Sequence, residues 1–255
     1  MNTLKSFIYK KIIPCIGQIC IRNNRYINVI YYHDVVNGNG ETYMRINIDR
    51  FKQHMLYLKS NGYQTYTFQD LNNRSLEKWK KKHILITFDD GWLSNYNKIY
   101  DFMKSNGIKY NIFLETAKIG KNPEYLSWKN VREMYNSGLV GFGAHTYSHP
   151  NMSKLDGLDL NLEIDHANEL IQKELGFIPE DFCFPYGAYS QEVIDSIIKM
   201  GTYRRIYTSD LRYTYSQQET LIFGRNAISD TESLKVFKNK AAGKYNVLNS
   251  LFKFK

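Results

Sequence analysis

The stretch HILITFDDG, residues 83–91, decides the fold. Six residues rich in β-branched and apolar side chains end abruptly in two acids and a glycine. An apolar run this short, closed by a turn signal, reads as a strand buried on both faces, the kind found in parallel sheets covered by helices. The next residues agree. Tyr96, Ile99, Tyr100 and Met103 recur at helical spacing, Asn106 and Gly107 end the helix, and KYNIFLE (109–115) reads as the next strand.

Outward from this segment the same alternation continues in both directions. Upstream, INVIYY (27–32) reads as a buried strand, followed by a loop rich in Asn and Gly. A helix from about Asp49 then carries Phe51, Met55 and Leu58 on one face and stops at Asn61 and Gly62. Downstream, Ser127 caps a helix bearing Trp128, Val131 and Met134, closed by Ser137 and Gly138, and LVGFGAHT (139–146) leads into another strand. A long helix over roughly 157–175, a strand DFCF (181–184), a helix over 190–200 ending at Gly201, a strand near 203–208 and LIFGR (221–225) complete about seven strand and helix units. This pattern predicts an α/β chain, a distorted (β/α)7 TIM-like barrel, as a single domain over residues 26–255 with no Pro-rich or Ser-rich linker inside it. In such barrels the chemistry sits where strands run out into the loops after them.

Composition bounds the partners. With 43% hydrophobic residues and 5 Pro in 255 residues, the chain is neither disordered nor fibrous. A net charge of +9 favours anionic surfaces without choosing among them, and since nucleic-acid binding would rest on charge alone it is not expected. Lys78, Lys80, Lys81 and Lys82 read as a solvated loop before a strand. Cys15, Cys20 and Cys183 form no C-x-x-C or zinc-ribbon spacing, which places a reducing, cytoplasmic or membrane-peripheral setting ahead of a secreted or cell-envelope one. Residues 1–25 read as an apolar and basic helix. Lys10, Lys11 and Pro14 interrupt it too often for it to span a bilayer, which leaves contact with an anionic membrane surface or packing on the barrel.

Four predicted strand ends carry residues with chemistry. Asp89 and Asp90 stand side by side, and two adjacent carboxylates both ionise cheaply only beside a cation or hydrogen-bond donors, which suits one as a metal ligand and the other as a base. The plain alternative is an Asp-Gly turn. In HTYSHP (145–150), His145 and His149 lie four apart on what Pro150 makes a tight loop rather than a helix. Together with Asp90 they supply three oxygen and nitrogen ligands and leave coordination positions open for water. FCFPYG (182–187) reads alone as a strand entering a proline turn, and His33 in YYHDV (31–35) reads alone as a buried histidine satisfied by Asp34. His54, His83 and His166 fall away from these ends and read as structural or surface groups.

Taken together, these motifs resemble the polysaccharide deacetylase family, the NodB-homology domain, over about residues 28–228. TFDDG (87–91) and HTYSHP are specific in combination, with FPYG (184–187), YYHDV and FGRNAI (223–228) in support. The resemblance implies a divalent metal, zinc or in its place cobalt, nickel or manganese, held by Asp90, His145 and His149. It further implies Asp89 as catalytic base, with the FPYG turn of Pro185 and Tyr186 serving substrate and oxyanion through the Tyr186 N–H. The chain departs from the usual pattern twice: Cys183 replaces the arginine of the third motif, and no histidine after His166 supplies the late catalytic acid. It resembles instead a branch, including poly-N-acetylglucosamine deacetylases, with a Tyr-His pair on the first strand. That assigns the acid to His33 and sets Arg225 beside Asp89 in place of the missing arginine. Trp92, Tyr147 and Tyr186 are candidate sugar-stacking rings and equally candidates for packing.

The expected activity is therefore removal of N-acetyl groups from an amino-sugar polymer or glycan. The rivals are a glycan-binding pseudoenzyme of the same fold and a hydrolase of another amide or of an O-acetyl ester.

Overall fold

A computed structural model describes residues 8–20, 27–40, 44–72 and 82–247. In chain order its strands are β1 (Asn28–Tyr32), β2 (Asp34–Val36), β3 (Arg45–Asn47), β4 (Gln64–Thr65), β5 (His83–Phe88), β6 (Tyr110–Leu114), β7 (Val140–Ala144), β8 (Asp181–Cys183), β9 (Arg205–Tyr207), β10 (Tyr215–Gln217), β11 (Thr220–Phe223) and β12 (Asn226–Ala227). Every residue of β1, β6 and β7 is buried, as expected of strands covered on both faces.

The main sheet runs β10-β11-β9-β8-β7-β6-β5-β1-β12, with β4 also on β5. All its pairings are parallel except the β10–β11 hairpin. The two ends of this path are joined through the chain itself. In the run 220–227, Leu221–Phe223 pair with Arg205–Tyr207 of β9, and Asn226 and Ala227 pair with Ile30 and Tyr31 of β1. One segment thus bridges both edges, and β1, β5, β6, β7, β8, β9 and this run make the seven-membered ring of a distorted (β/α)7 barrel. The kink between its halves falls at Gly224, where a Cβ would lie 2.4 Å from the Arg212 carbonyl oxygen, so only glycine fits.

Strand alternation divides the core. Val29, Leu85, Phe113, Cys183, Tyr207 and Phe223 cluster with Phe68 inside the ring. Their neighbours Ile30, Ile84, Ile112, Ile206 and Ile222 pack outward with Phe51, Met55, Val131, Ile164 and Ile194 of the surrounding helices. Those helices begin and end where their capping residues stand. Asn47 caps Ile48–Ser60, Ser127 and Asn130 form a capping box on Trp128–Asn136, and Asp156 and a left-handed Gly176 bracket Gly157–Leu175.

Several elements depart from the sequence reading. The Asn- and Gly-containing stretch after β1 carries the small parallel β2–β3 sheet, and the stripe from Tyr96 to Met103 is two short helices, Ser94–Asn97 and Tyr100–Asn106. LIFGR forms β11 as expected, but its antiparallel partner β10 and the helix Leu234–Ala241 have no counterpart among the predicted elements. Near the N-terminus, the helix Ile13–Cys20 packs on the barrel: Ile13 clusters with Val236, Tyr245 and Val247, and a Cβ at Gly17 would meet the Lys244 carbonyl oxygen at 1.9 Å. Of the Lys run, Lys78, Lys80 and Lys81 lie outside the described residues. Among the described residues, no helix is long and apolar enough to cross a membrane.

Candidate active site

Three of the sequence motifs meet at the end of the barrel where β5, β7 and β8 run out, and the backbone there is bent to bring them together. Six described non-glycine residues have positive φ, and four of them, Asp90, Thr146, His149 and Tyr186, belong to these motifs. Such conformations cost about 1–3 kcal/mol each and persist only where the surrounding structure imposes them.

Asp90, on the turn after β5, is the meeting point. Its Oδ1 lies 3.5 Å from Nε2 of His145 and 3.3 Å from Nε2 of His149. The tautomer of His145 is set by its other nitrogen, which is 2.7 Å from the Cys183 carbonyl oxygen. A carbonyl can only accept, so Nδ1 carries the proton and Nε2 turns a lone pair toward Asp90. Burial lowers the His145 pKa to about 4, against the opposing pull of the Asp89 charge, which keeps the ring neutral near pH 7. Burial works against charge on Asp90 as well, but the adjacent His149 imidazole, with those of His33 and His145, holds its carboxyl well below the usual range. Asp90 Oδ2 accepts a hydrogen bond from Trp92 Nε1 at 2.9 Å, whereas buried Oδ1 has no hydrogen-bond partner.

A neutral imidazole lone pair facing a carboxylate oxygen is repulsive unless a cation lies between them. The ligand atoms of Asp90, His145 and His149 all lie within 4.8 Å of one another, so the donor set fits a divalent ion with nitrogen and oxygen preference. Asp89, His145 and Cys183 also come within that distance, but a cation already stands there: Arg225 Nη2 is 2.9 Å from both Cys183 Sγ and Asp89 Oδ2.

Asp89 is gripped by Arg225 through both oxygens, at 2.7 and 2.9 Å. The guanidinium is fully buried and held in turn by the Thr208 carbonyl at 3.1 Å, by Thr87 Oγ1 at 3.2 Å and by the Tyr31 ring, 4.2 Å away at its centre. Burial alone would raise the Asp89 carboxyl; the Arg225 charge and hydrogen bonds outweigh it and bring the pKa below the ordinary value. His33, just beyond β1, places Nε2 3.9 Å from Asp89 Oδ2. A cavity of about 360 Å³ opens over these groups, with Tyr31, His33, Asp89, Asp90, His145 and His149 in its wall and Met44, Phe184, Tyr186, Gly187 and Ser209 around them.

Of the three aromatic candidates, one borders this cavity. Tyr186 is 73% exposed and stands edge-on to His149, its ring centre 4.5 Å away, with Pro185 buried beneath the same turn. Trp92 is stacked on Tyr125 at 4.6 Å, and Tyr147 packs edge-on against His166 at 5.4 Å; neither ring is among the cavity residues. His54 lies outside the cavity wall, stacked on Phe237 at 3.9 Å, and His83 stacks on Tyr66. Tyr31, Ser209 and Met44 are cavity residues that the sequence does not single out. Only Tyr31 carries a signal, its place two residues before His33 in YYHDV. Cys183 reads in the sequence as a substitution within a motif; in the fold it is a neighbour of Asp89 and Arg225.

Residues 76–204 match the sequence model of the family described as polysaccharide deacetylase, half of the chain. The chain belongs to the polysaccharide deacetylase family. Relatives in this family include a peptidoglycan-N-acetylglucosamine deacetylase of Bacillus cereus, 27% identical over 69% of this chain and 60% of its own. Another is a poly-beta-1,6-N-acetyl-D-glucosamine N-deacetylase of Staphylococcus aureus, 23% identical over 79% of this chain and 71% of its own. The chain spans 61% and 60% of the lengths of the first two curated relatives it matches. Among solved structures, the Streptococcus pyogenes deacetylase PplD in complex with acetate has the same fold, with a TM-score of 0.70 at 20% identity, covering 90% of this chain and 100% of that one.

Proposed function

We propose that this chain is a metal-dependent deacetylase that removes N-acetyl groups from N-acetylglucosamine units of a polysaccharide, releasing acetate. One observation carries the reading: a carboxylate oxygen without a donor faces two imidazole nitrogens, one of them fixed by its tautomer as a lone-pair donor, beside a second carboxylate held ionised by a buried arginine. The relatives named for N-acetylglucosamine polymers support the choice of substrate.

Asp90, His145 and His149 would hold the ion, zinc by the balance of its ligands. When bound, a divalent ion supplies Lewis-acid polarisation of the water and of the acetamide carbonyl. The protein's own groups do the rest. Asp89, kept as a carboxylate by Arg225, accepts the proton of the attacking water, a contribution of about 10² to 10⁴ for a well-placed base. The Tyr186 N–H, on the left-handed turn of FPYG, stabilises the developing oxyanion. His33 then delivers a proton to the departing amine, which leaves poorly as an anion. Tyr186, at the cavity mouth, offers a ring to the sugar.

The test is acetate release from chitin, β-1,6-linked N-acetylglucosamine and peptidoglycan fragments, with and without chelator. Chelator-sensitive acetate from at least one of them supports the reading. Release from O-acetylated substrates alone moves the activity to ester hydrolysis, and stoichiometric metal with no acetate from any fragment overturns catalysis.

A further inference from the structure

Trp92 occupies a place that the proposed reaction does not use. Its indole N–H donates to Asp90 Oδ2 at 2.9 Å, on the side of the carboxylate away from the two imidazoles. The ring has little freedom to move. It is stacked on Tyr125, centres 4.6 Å apart and planes at 26°, and the two residues also form an antiparallel backbone bridge. The Tyr125 hydroxyl accepts from Lys118 Nζ at 3.0 Å, and that ammonium is paired with Glu115 at 2.9 Å. Glu115 then returns to the starting point, its backbone N–H donating to the Asp90 carbonyl oxygen at 3.3 Å. The circuit Asp90, Trp92, Tyr125, Lys118, Glu115 closes on itself.

The geometry points to Trp92 as a positioning residue that makes Asp90 a one-oxygen metal ligand, its N–H engaging Oδ2 so that Oδ1 alone faces His145 and His149. The inference rests on the proposed metal site and extends it to a residue behind the ligands. Backbone strain at Asp90, with φ at 72°, fixes the direction of its Cα–Cβ bond but leaves the carboxylate free to rotate. Without a donor, Oδ2 would turn to share the cation or recruit water, and the ligand set would lose its single preferred arrangement. Partners that orient ligands in this way typically contribute ten- to hundredfold in metal affinity. A ring kept for sugar binding would present a face to the cavity; this one has a face on Tyr125 and its polar edge on the ligand.

The experiment is a chelator-competition titration of Zn²⁺ and Co²⁺ into the metal-free chain and into Trp92→Phe, which retains an aromatic ring for Tyr125 and removes the N–H. Trp92→Phe is expected to bind either ion ten- to hundredfold more weakly and to shift the visible absorption of the Co²⁺ form, with thermal stability of the metal-free protein little changed. Tyr125→Leu, which keeps the N–H but removes its platform, is expected to weaken binding in the same direction. Wild-type affinity and an unchanged Co²⁺ spectrum in whichever variant folds would overturn the role of Trp92. Failure of the unmodified chain to bind either ion would instead overturn the metal site itself.

Discussion

Arg225 holds Asp89 through both guanidinium nitrogens across a separation of 136 residues, and both side chains are buried. The resemblance expects Arg225 to stand in for the arginine of the usual third motif, and Cys183, at that motif's position, sets a thiol 2.9 Å from the same guanidinium. Because the Arg225 charge holds the Asp89 carboxyl below its ordinary pKa, Asp89 stays ionised well into the acid range. Arg225→Lys keeps a charge but loses the two-point grip, so the Asp89 pKa rises and the acid limb of the kcat/KM profile moves to higher pH. Arg225→Met removes the charge, moves the limb further and destabilises the protein by about 3–5 kcal/mol, the usual cost of stranding one buried ion. An acid limb that stays in place in both variants would separate Asp89 from the proton transfer.

Metal removal should separate stability from activity at Asp90. The unmodified chain should gain about 2.7 kcal/mol when the free ion is at 100 times its dissociation constant. Asp90→Asn should show almost none of this gain, while its metal-free form is at least as stable as the unmodified metal-free form, since it relieves the facing lone pairs of Asp90 and His145. Deacetylation should fall by more than the roughly 100-fold that loss of a partner behind a ligand costs. Calorimetry with and without Zn²⁺ measures the first effect and acetate release the second; a full metal-dependent gain in Asp90→Asn would remove it from the ligand set.

Replacing His33 tests the proton delivery proposed for it. His33→Ala should lower turnover by about 10² to 10⁴, the range of a positioned proton donor, with metal content unchanged because His33 is outside the ligand set. Substrates with better leaving groups should recover much of the loss. Near-normal turnover of the natural amide in the folded variant would take His33 out of the mechanism.

How much of this is legible in the sequence depends on physical range. The strand ends carrying Asp89, Asp90, His145 and His149 can be read because turn residues and apolar periodicity act locally. Which side Oδ2 of Asp90 faces cannot, because it depends on Trp92 stacking against Tyr125, 33 positions on. The sequence places Trp92 and Tyr147 near the site but says nothing of which ring face is already taken, and both lie against protein. The β2–β3 sheet escapes a sequence reading because three-residue strands carry too few side chains for a period. The two-part run 220–227 pairs with β9 and β1 at once, a property of barrel closure rather than of its own residues.

His54 offers a test of stability remote from the site. It is buried, stacked on Phe237, with Tyr32 OH 3.2 Å from Nδ1 and Nε2 without a partner. Burial, helped by the Arg50 charge, lowers its pKa to about 3 from an ordinary 6.5. The folded state therefore keeps this ring neutral, and its stability is complete above pH 6.5. As the pH falls from 6.5 toward 3 the unfolded chain takes up a proton that the folded chain refuses, at a cost of about 1.4 kcal/mol per pH unit. His145, lowered to about 4, adds a second such contribution in the metal-free protein. His54→Leu should therefore flatten the fall in unfolding free energy between pH 6 and 4.5 by about 1.4 kcal/mol per unit, whatever its effect at pH 7.5. Urea unfolding at several pH values in this window measures the slope, and equal slopes in the two proteins would mean that His54 is protonated in the fold.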